Sequence, residues 1–441
     1  MATSGVPHIL IVGGGYVGMY TALRLQRRLR AGEARVTVVD PRSYMTYQPF
    51  LPEAAAGSIQ PRHVVVPLRR VLTRAEVVTG SVSAVDPQRR VATIEPLEGP
   101  AYELGYDHIV LAAGSVSRTL PIPGLAEHGT GFKTVEEAIA LRNRVIESLD
   151  IAESTADEAV RRRTLTFVVV GGGYAGIEAL AELEDMARYA TRYYRRIMPS
   201  DLRWVLVEAA DRIMPEVGPD MARYTLDQLQ ARGIEAHLHT RLESCVSGHV
   251  VLSDGTELDA EVLVWTAGVK PDPVVAATGF PLDDRGRVRT RADLRIEGHD
   301  EAWSAGDCAA VPDLTSPGAF CSPSAQHAVR QARQLGDNLA AVLRGEPTTD
   351  YRHAYAGSVA SLGLYQGVAQ VYGVKLKGFP AWFMHRTYHM SRMPTFSRKA
   401  QVVLDWTQAL LFRREVVGLW SMREPTKQFH EAAGGAAERS A

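Results

Sequence analysis

The chain has 441 residues, 46% of them hydrophobic and 22% charged, with a formal net charge of −1. That is material for two or three domains with full cores, and the charge balance excludes the strong basic excess of a nucleic-acid binder. Three scattered cysteines, Cys245, Cys308 and Cys321, exclude a disulfide scaffold or a cysteine zinc site and fit a reducing cytoplasm.

The first apolar run, Ile9 to Val12, reads as a buried parallel strand. No basic stretch precedes it and it ends in glycines, so no signal peptide is expected. Gly13, Gly15 and Gly18 then form G-x-G-x-x-G. The first glycine permits a tight turn, the second lets backbone approach a pyrophosphate, and the third lets helix pack on strand. A helix over Tyr16 to Arg30 would point its N–H groups and positive dipole end at those phosphates. A second strand, Arg35 to Val39, ends in Asp40, placed to accept hydrogen bonds from an adenosine ribose.

Further on, YDHIVLAAGS (Tyr106 to Ser115) reads as a strand ending in a small-residue turn at Ala113 and Gly114. The loop pattern then recurs. Strand Thr166 to Val170 leads into Gly171, Gly173 and Gly176, and strand Arg203 to Val207 ends in Glu208. The gap between loop and acid is long, and residues Met186 to Asp201 fill it as a lengthened helix and connector. ELDAEVLVWTAGVKPD (Glu257 to Asp272) ends a strand in a turn at Gly268, and AWSAGDCA (Ala302 to Ala309) carries Gly306 and Asp307. Two loops imply two dinucleotides, one resident and one visiting.

Together these segments resemble the FAD-dependent pyridine-nucleotide oxidoreductases with paired Rossmann domains. The resemblance implies FAD on the first loop, with Asp307 on its ribityl chain, and NADH on the second. Disulfide reductases of that family carry a C-x4-C pair after the first acid. PRSYMTYQPFLPEAAAG (Pro41 to Gly57) has no cysteine, so a dithiol relay is excluded. YQPFLPEAAAG, GGGYAGIE, WVLVEAADRIMP and AQHAVRQA instead resemble segments of the type II NADH dehydrogenases, as does the stretch Gly357 to Met390. The implied reaction is hydride transfer from NADH to flavin, then two electrons to a quinone or other acceptor. Arg330 stands where that family has its second glutamine, with Gln331 displaced by one residue, which leaves open a soluble reductase of another acceptor or a slowly turning NADH sensor.

By the resemblance, Glu178 contacts the nicotinamide end, Gln326 lines the acceptor side, and Tyr47, Gln48 and Pro49 border the flavin. The Glu208 carboxylate would repel a 2′-phosphate and favour NADH, with Arg212 near enough to soften the choice. Cofactor contacts are thus expected at Gly13, Gly15, Gly18, Asp40, Tyr47, Ala113, Gly114, Gly306 and Asp307 for FAD. For NADH they are Gly171, Gly173, Gly176, Glu208 and Gly268. The thirteen histidines form no H-E-x-x-H cluster, and no metal is expected.

The expected fold is α/β: an FAD domain (1–124 and 288–344) with an inserted NAD(H) domain (125–287), each a doubly wound sheet. A C-terminal α+β segment (345–424) for membrane docking or dimerisation follows, then a disordered tail (425–441). No window holds the roughly 20 apolar residues a spanning helix needs. AQVVLDWTQALLF (Ala400 to Phe412) reads as an amphipathic helix with Val402, Val403, Trp406, Ala409 and Leu410 on one face and Asp405 and Gln408 off it. Trp382, Phe383, Trp406 and Trp420 stand among Arg386, Arg392, Arg398, Lys399, Arg413 and Arg414. That mixture predicts a peripheral protein on the inner face of the cell membrane, with a homodimer left open.

Overall fold

The computed structural model describes residues 5–353, 357–412, 414–418 and 426. The 425–441 tail (residue 426 apart), Arg413 and Trp420 lie outside the described residues.

The first half is a seven-stranded sheet. Its order is Ala302–Ser304, His108–Leu111, His8–Val12, Arg35–Asp40, Glu76–Asp86, Val91–Pro96, Tyr102–Gly105. The first five strands are parallel and the last two turn back as an antiparallel meander. His8–Val12 is buried at every position, as a central strand covered on both faces must be. Its register sets Val12 opposite both Val39 and Leu111, so the glycine loop leaves the sheet at its carboxyl edge. Ligands of open α/β sheets bind at that edge. Helix α1 (Tyr16–Arg28) follows, ending two residues before the expected Arg30.

The second half repeats this on a five-stranded parallel sheet. Its order is Gly129–Thr130, Val262–Trp265, Thr166–Val170, Arg203–Val207, Glu235–His237. Phe167 and Trp204 stack at 4.4 Å on neighbouring strands. Helix α2 (Tyr174–Ala190) follows the second loop. The long connector after it is two isolated turns, Thr191–Tyr193 and Pro199–Asp201.

The halves are joined by a two-stranded ribbon in which Ser115–Ser117 pairs antiparallel with Val269–Pro271. Beyond that ribbon, Val275, Phe280 and Val288 pack with Leu10, Val12 and Val39 of the first half. The chain therefore returns near Pro271, earlier than the boundary at residue 287 read from the sequence. Helix α3 (Ala325–Leu343) then lies along α1. Gly336 lets the two approach closely, since a Cβ there would sit 2.8 Å from Arg24 Cβ, and Thr21 Oγ1 donates to the Ala332 carbonyl across the seam at 3.2 Å.

The C-terminal segment is a three-stranded antiparallel sheet (Gly357–Ser361, Gly367–Val371, Val374–Lys377) and two helices, α4 (Phe379–Arg392) and α5 (Phe396–Phe412). Among the described residues, no helix is long and apolar enough to cross a membrane.

Candidate functional site

The two glycine loops are built alike, and each glycine has a distinct steric reason. A Cβ on Gly13 would run into the Ala112 carbonyl, and one on Gly18 into the carbonyl of Gly13. Gly171 and Gly176 are confined the same way, by Thr266 and by the Gly171 carbonyl. Gly15 and Gly173 differ: a Cβ on either would meet no protein atom. Both therefore look out on open space at the start of a helix, a cradle fitting a pyrophosphate.

The strand-end acids lock these cradles. Asp40 Oδ2 accepts from Gly14 N at 2.6 Å and Oδ1 from Arg42 N at 2.7 Å. Burial raises the Asp40 carboxyl above its usual range, against the pull of those two N–H groups. Glu208 does the same for the second loop, accepting from Gly172 N and, at 2.7 Å, from Ala210 N. A carboxylate oxygen has a second lone pair, so each acid keeps capacity for a ribose hydroxyl.

One cleft of about 1440 Å³ joins the second loop to the first half. Its lining brings together Gly171, Gly173, Gly176 and Glu208 of the second loop and strand end, Gly268 and Glu178, and Gln48, Pro49 and Asp307. That exceeds the roughly 300–1,000 Å³ of a single small-ligand pocket. Ser115 Oγ donates to Asp307 Oδ2 at 2.7 Å, and Gly306 N to Gln331 Oε1 at 2.8 Å. Ala113 and Gly114 lie just before Ser115 in the same turn, where Gly114 has φ +70° and offers its carbonyl to Asp272 N at 3.2 Å.

Lys133 was not singled out from the sequence. It stands 3.9 Å from Asp307 Oδ2 and touches the Ser115 hydroxyl, while Gln48 Nε2 donates to its carbonyl at 3.2 Å. Burial lowers its pKa, opposed by Asp307 and Glu137. A cation here sits beside Asp307, and only the adjoining T-V-E-E capping signal marks the place in sequence.

The first-loop residues Gly13, Gly15, Gly18 and Asp40, and Ala113, Gly114 and Gly306, do not line this cleft, and neither do Tyr47 and Gln326. Tyr47 is buried behind it, with its ring on Tyr16 and Phe50 and its hydroxyl donating to the His389 carbonyl at 3.0 Å. Gln326 also stays off the wall, although Ala325 and His327 line it. Its amide reaches the Gly357 carbonyl at 3.4 Å and His353 Nε2 at 3.0 Å, while Arg330 Nη1 donates to its main-chain carbonyl at 3.1 Å. The displaced Gln331 is the one that braces the Asp307 turn.

Glu178 has a double attachment. It lines the cleft, and its Oε1 accepts from Ser361 N at 2.9 Å and lies 3.1 Å from His385 Nε2, out of line for a good hydrogen bond. Burial alone would lower the His385 pKa; Glu178 and Glu53 outweigh it, and the net shift is upward. Its neighbour His389 is pushed well down by burial and by His385. Glu53, 1% exposed, takes Arg386 at 2.9 Å and the Trp406 indole N–H at 2.7 Å. Glu182 takes the Ser361 hydroxyl at 2.8 Å and Arg414 at 3.5 Å. These pairs seat the C-terminal segment on the core through buried charges.

They also correct the reading of α5. Val402 faces inward, and so does Asp405, which accepts from Gln60 N at 3.0 Å and pairs with His63 at 2.6 Å. Trp406 points at Glu53 rather than outward. The outward face carries Phe396, Val403, Leu404, Leu410, Leu411 and Phe412, all exposed. Arg398 and Arg414 turn inward, the first to the Val65 carbonyl at 2.8 Å, the second to Asp185 at 2.7 Å.

The cysteines are buried singly. Cys308 contacts the Leu111 and Ala305 carbonyls and Ser304 Oγ, a packing position.

Residues 7–332 match the pyridine nucleotide-disulphide oxidoreductase family. A type II NADH:quinone oxidoreductase from Staphylococcus epidermidis is 31% identical over 385 residues, 86% of this chain and 93% of the relative. The type II NADH:quinone oxidoreductase Ndh of Mycobacterium tuberculosis is 27% identical over 421 residues, 92% and 88% of the two chains. The solved structure of NDH2 from Plasmodium falciparum in complex with NADH aligns with a TM-score of 0.85 at 16% identity, covering 93% of this chain and all of that one, a likeness of fold. With paired glycine cradles, their locking acids and no dithiol, the chain belongs to the pyridine nucleotide-disulphide oxidoreductase family and, within it, to the type II NADH:quinone oxidoreductases.

Proposed function

We propose that this chain is an FAD-dependent NADH:quinone oxidoreductase that works at a membrane surface. The observation that carries it is the single cleft running from Glu208 and the second loop to Asp307 and Gln48. Bound FAD supplies hydride acceptance from NADH and two-electron delivery to a quinone. The residues of this chain hold, orient and shield. Gly15 and Gly173 leave room for the two pyrophosphates, with Gly13, Gly18, Gly171 and Gly176 shaping their loops. Asp40 and Glu208 receive the riboses, and Asp307, braced by Ser115 and Gln331, the ribityl hydroxyls. Lys133 places positive charge beside Asp307. Glu178 meets the nicotinamide end and passes the contact on to His385 and the tail. Gln48 borders the flavin; Gln326 and Tyr47 support the site from behind its wall.

The outward apolar face of α5, with Phe379 and Phe383 of α4, is the docking surface. A helix this short lies in the interface and does not span. Cytoplasmic NADH places the docked enzyme on the inner face of the cell membrane.

The test is steady-state NADH oxidation by the purified yellow protein with menaquinone and ubiquinone analogues side by side. Turnover with at least one quinone, faster with NADH than NADPH, is expected. Tight NADH binding without quinone turnover would reject the assignment. Docking is tested with Leu404→Gln/Leu411→Gln, which should float less well with anionic vesicles while keeping its flavin. Cutting the chain before Phe379 is not a clean test, because it would strip Glu53 and Glu178 of buried partners.

A further inference from the structure

The cations expected to meet lipid divide into two groups. Arg398 and Arg414 turn inward. Two others of that set, Arg392 and Lys399, join arginines of the first half around a second cavity, of about 250 Å³, where α1, α3 and the α4–α5 turn meet. Its wall carries Arg24, Arg27, Arg333, Arg392 and Lys399 around Tyr20. Asp337 is the acid beside them, and it is already shared by Arg24 and Arg28 at 2.8 Å each. Among the described residues, Arg27, Arg333 and Arg392 have no carboxylate within ion-pair distance, and Lys399 Nζ holds only the Ser391 carbonyl at 2.7 Å. The guanidinium of Arg333 lies 5.9 Å from the Tyr20 ring, and the Tyr20 hydroxyl donates to the Arg392 carbonyl at 3.3 Å. Like charges are thus collected in a concave site with one shared counter-charge, an arrangement that repels itself unless an anion enters.

We infer that this cavity binds the phosphodiester headgroup of an anionic phospholipid. The guanidinium fork matches a phosphate's oxygens in pairs, which is why arginines predominate where phosphate is held. The cavity lies below the size range of whole small-ligand pockets, and so takes a headgroup and not a nucleotide. Its rim is the α4–α5 turn, which passes directly into exposed Phe396 and the outward face of α5. A lipid held by its headgroup here has apolar surface beside it for its chains. The inference rests on the membrane-docking reading and deepens it: the surface selects a headgroup as well as adhering to charge.

The experiment uses the full-length holoprotein in three forms: wild type, Arg333→Gln/Arg392→Gln, and a control, Arg162→Gln/Arg195→Gln, on the exposed surface of the second half. Equal flavin content and equal NADH–ferricyanide rates establish that all three are intact; Arg27→Gln is a milder substitute if the double variant is not. Flotation with phosphatidylcholine vesicles, with and without phosphatidylglycerol, gives affinities at fixed salt. Each cation near an anionic surface contributes about 1 kcal/mol, a factor of about 5. The pocket variant should therefore lose roughly 30-fold in affinity for the anionic vesicles, and the control nothing.

Titration with dihexanoyl-phosphatidylglycerol below its micelle concentration should saturate in wild type and vanish in the pocket variant, with inorganic phosphate failing to compete. Equal binding of inorganic phosphate would overturn the lipid assignment in favour of a free anion. A pocket variant that floats as well as wild type would overturn the pocket while leaving membrane docking standing. Wild type that stays unbound on anionic vesicles would overturn docking itself.

Discussion

The two glycine loops are near copies, but the helices they open are not. Gly18 and Gly176 end equivalent turns, and two residues later α1 carries Tyr20 where α2 carries Glu178. Six residues after those glycines, Arg24 on α1 stands against Glu182 on α2. The α1 face is cationic and looks onto the small basic cavity. The α2 face is acidic and buried, and receives Ser361, His385 and Arg414 from the C-terminal segment. The loop is constrained by what it must hold, so duplication leaves it unchanged. The helix flank is free to specialise, and here one flank seats the tail while the other gathers charge beside it.

The largest way to break this contrast is at the acidic flank. Arg414→Ala leaves Glu182, fully buried, with one cation fewer in a place water does not reach. Removing one member of a buried pair costs about 3–5 kcal/mol, and a thermal melt should show it plainly. The matching change on the other flank, Arg27→Gln, sits in solvent and should leave the melting temperature nearly unmoved. Equal shifts would mean that the two flanks are not different in kind.

Next in size is the nicotinamide choice. Glu208→Gln removes the charge facing a 2′-phosphate and keeps one amide oxygen, which can still accept from Gly172 N while Ala210 N loses its partner. Loss of a repulsion of about 1–3 kcal/mol changes the NADPH-to-NADH ratio of kcat/KM roughly 5- to 150-fold. Flavin content should stay constant, since the first loop is locked by Asp40. An unchanged ratio would place Glu208 away from the ribose.

The smallest effect is in pH. His385 has its pKa raised in the folded protein, because Glu178 and Glu53 outweigh its burial. Its charge therefore stabilises the fold fully below the unfolded value of about 6.5, and this contribution is lost as pH rises through the raised value. The gap in melting temperature between wild type and His385→Gln should be widest in mild acid and shrink toward alkaline pH, by an amount equivalent to about 1 kcal/mol. A gap that widens with pH would mean that His385 is neutral in its site.

What could be read from sequence follows the same division. Both loops, both acids and the Asp307 turn are legible because local backbone geometry demands them: a Cβ at Gly13 or Gly18 meets a carbonyl a few residues away or on the next strand. The division of labour within the loop is legible too: the second glycine is the one expected at the pyrophosphate, and Gly15 faces open space, whereas a Cβ on Gly13 would strike Ala112. What no motif rule gives is which neighbour confines each glycine. The tail is where sequence fails. Asp405 reads as a solvent-facing interruption of the α5 stripe, but its partners Gln60 and His63 are more than 340 residues away. Trp406 reads as a membrane anchor because nothing nearby announces Glu53. Helical periodicity marks an apolar stripe without saying which neighbour covers it, and a buried ion pair leaves no periodic trace at all.

The central claim is that the first loop holds a resident flavin and the second a visiting nicotinamide. The most direct measurement is flavin content and anaerobic reduction by NADH in Gly15→Val and Gly173→Val, both of which put side-chain atoms into open space and not into the fold. Gly15→Val should purify folded but colourless. Gly173→Val should purify yellow, with a flavin that dithionite bleaches and NADH does not. A colourless Gly173→Val beside a yellow Gly15→Val would reverse the two loops and contradict the account.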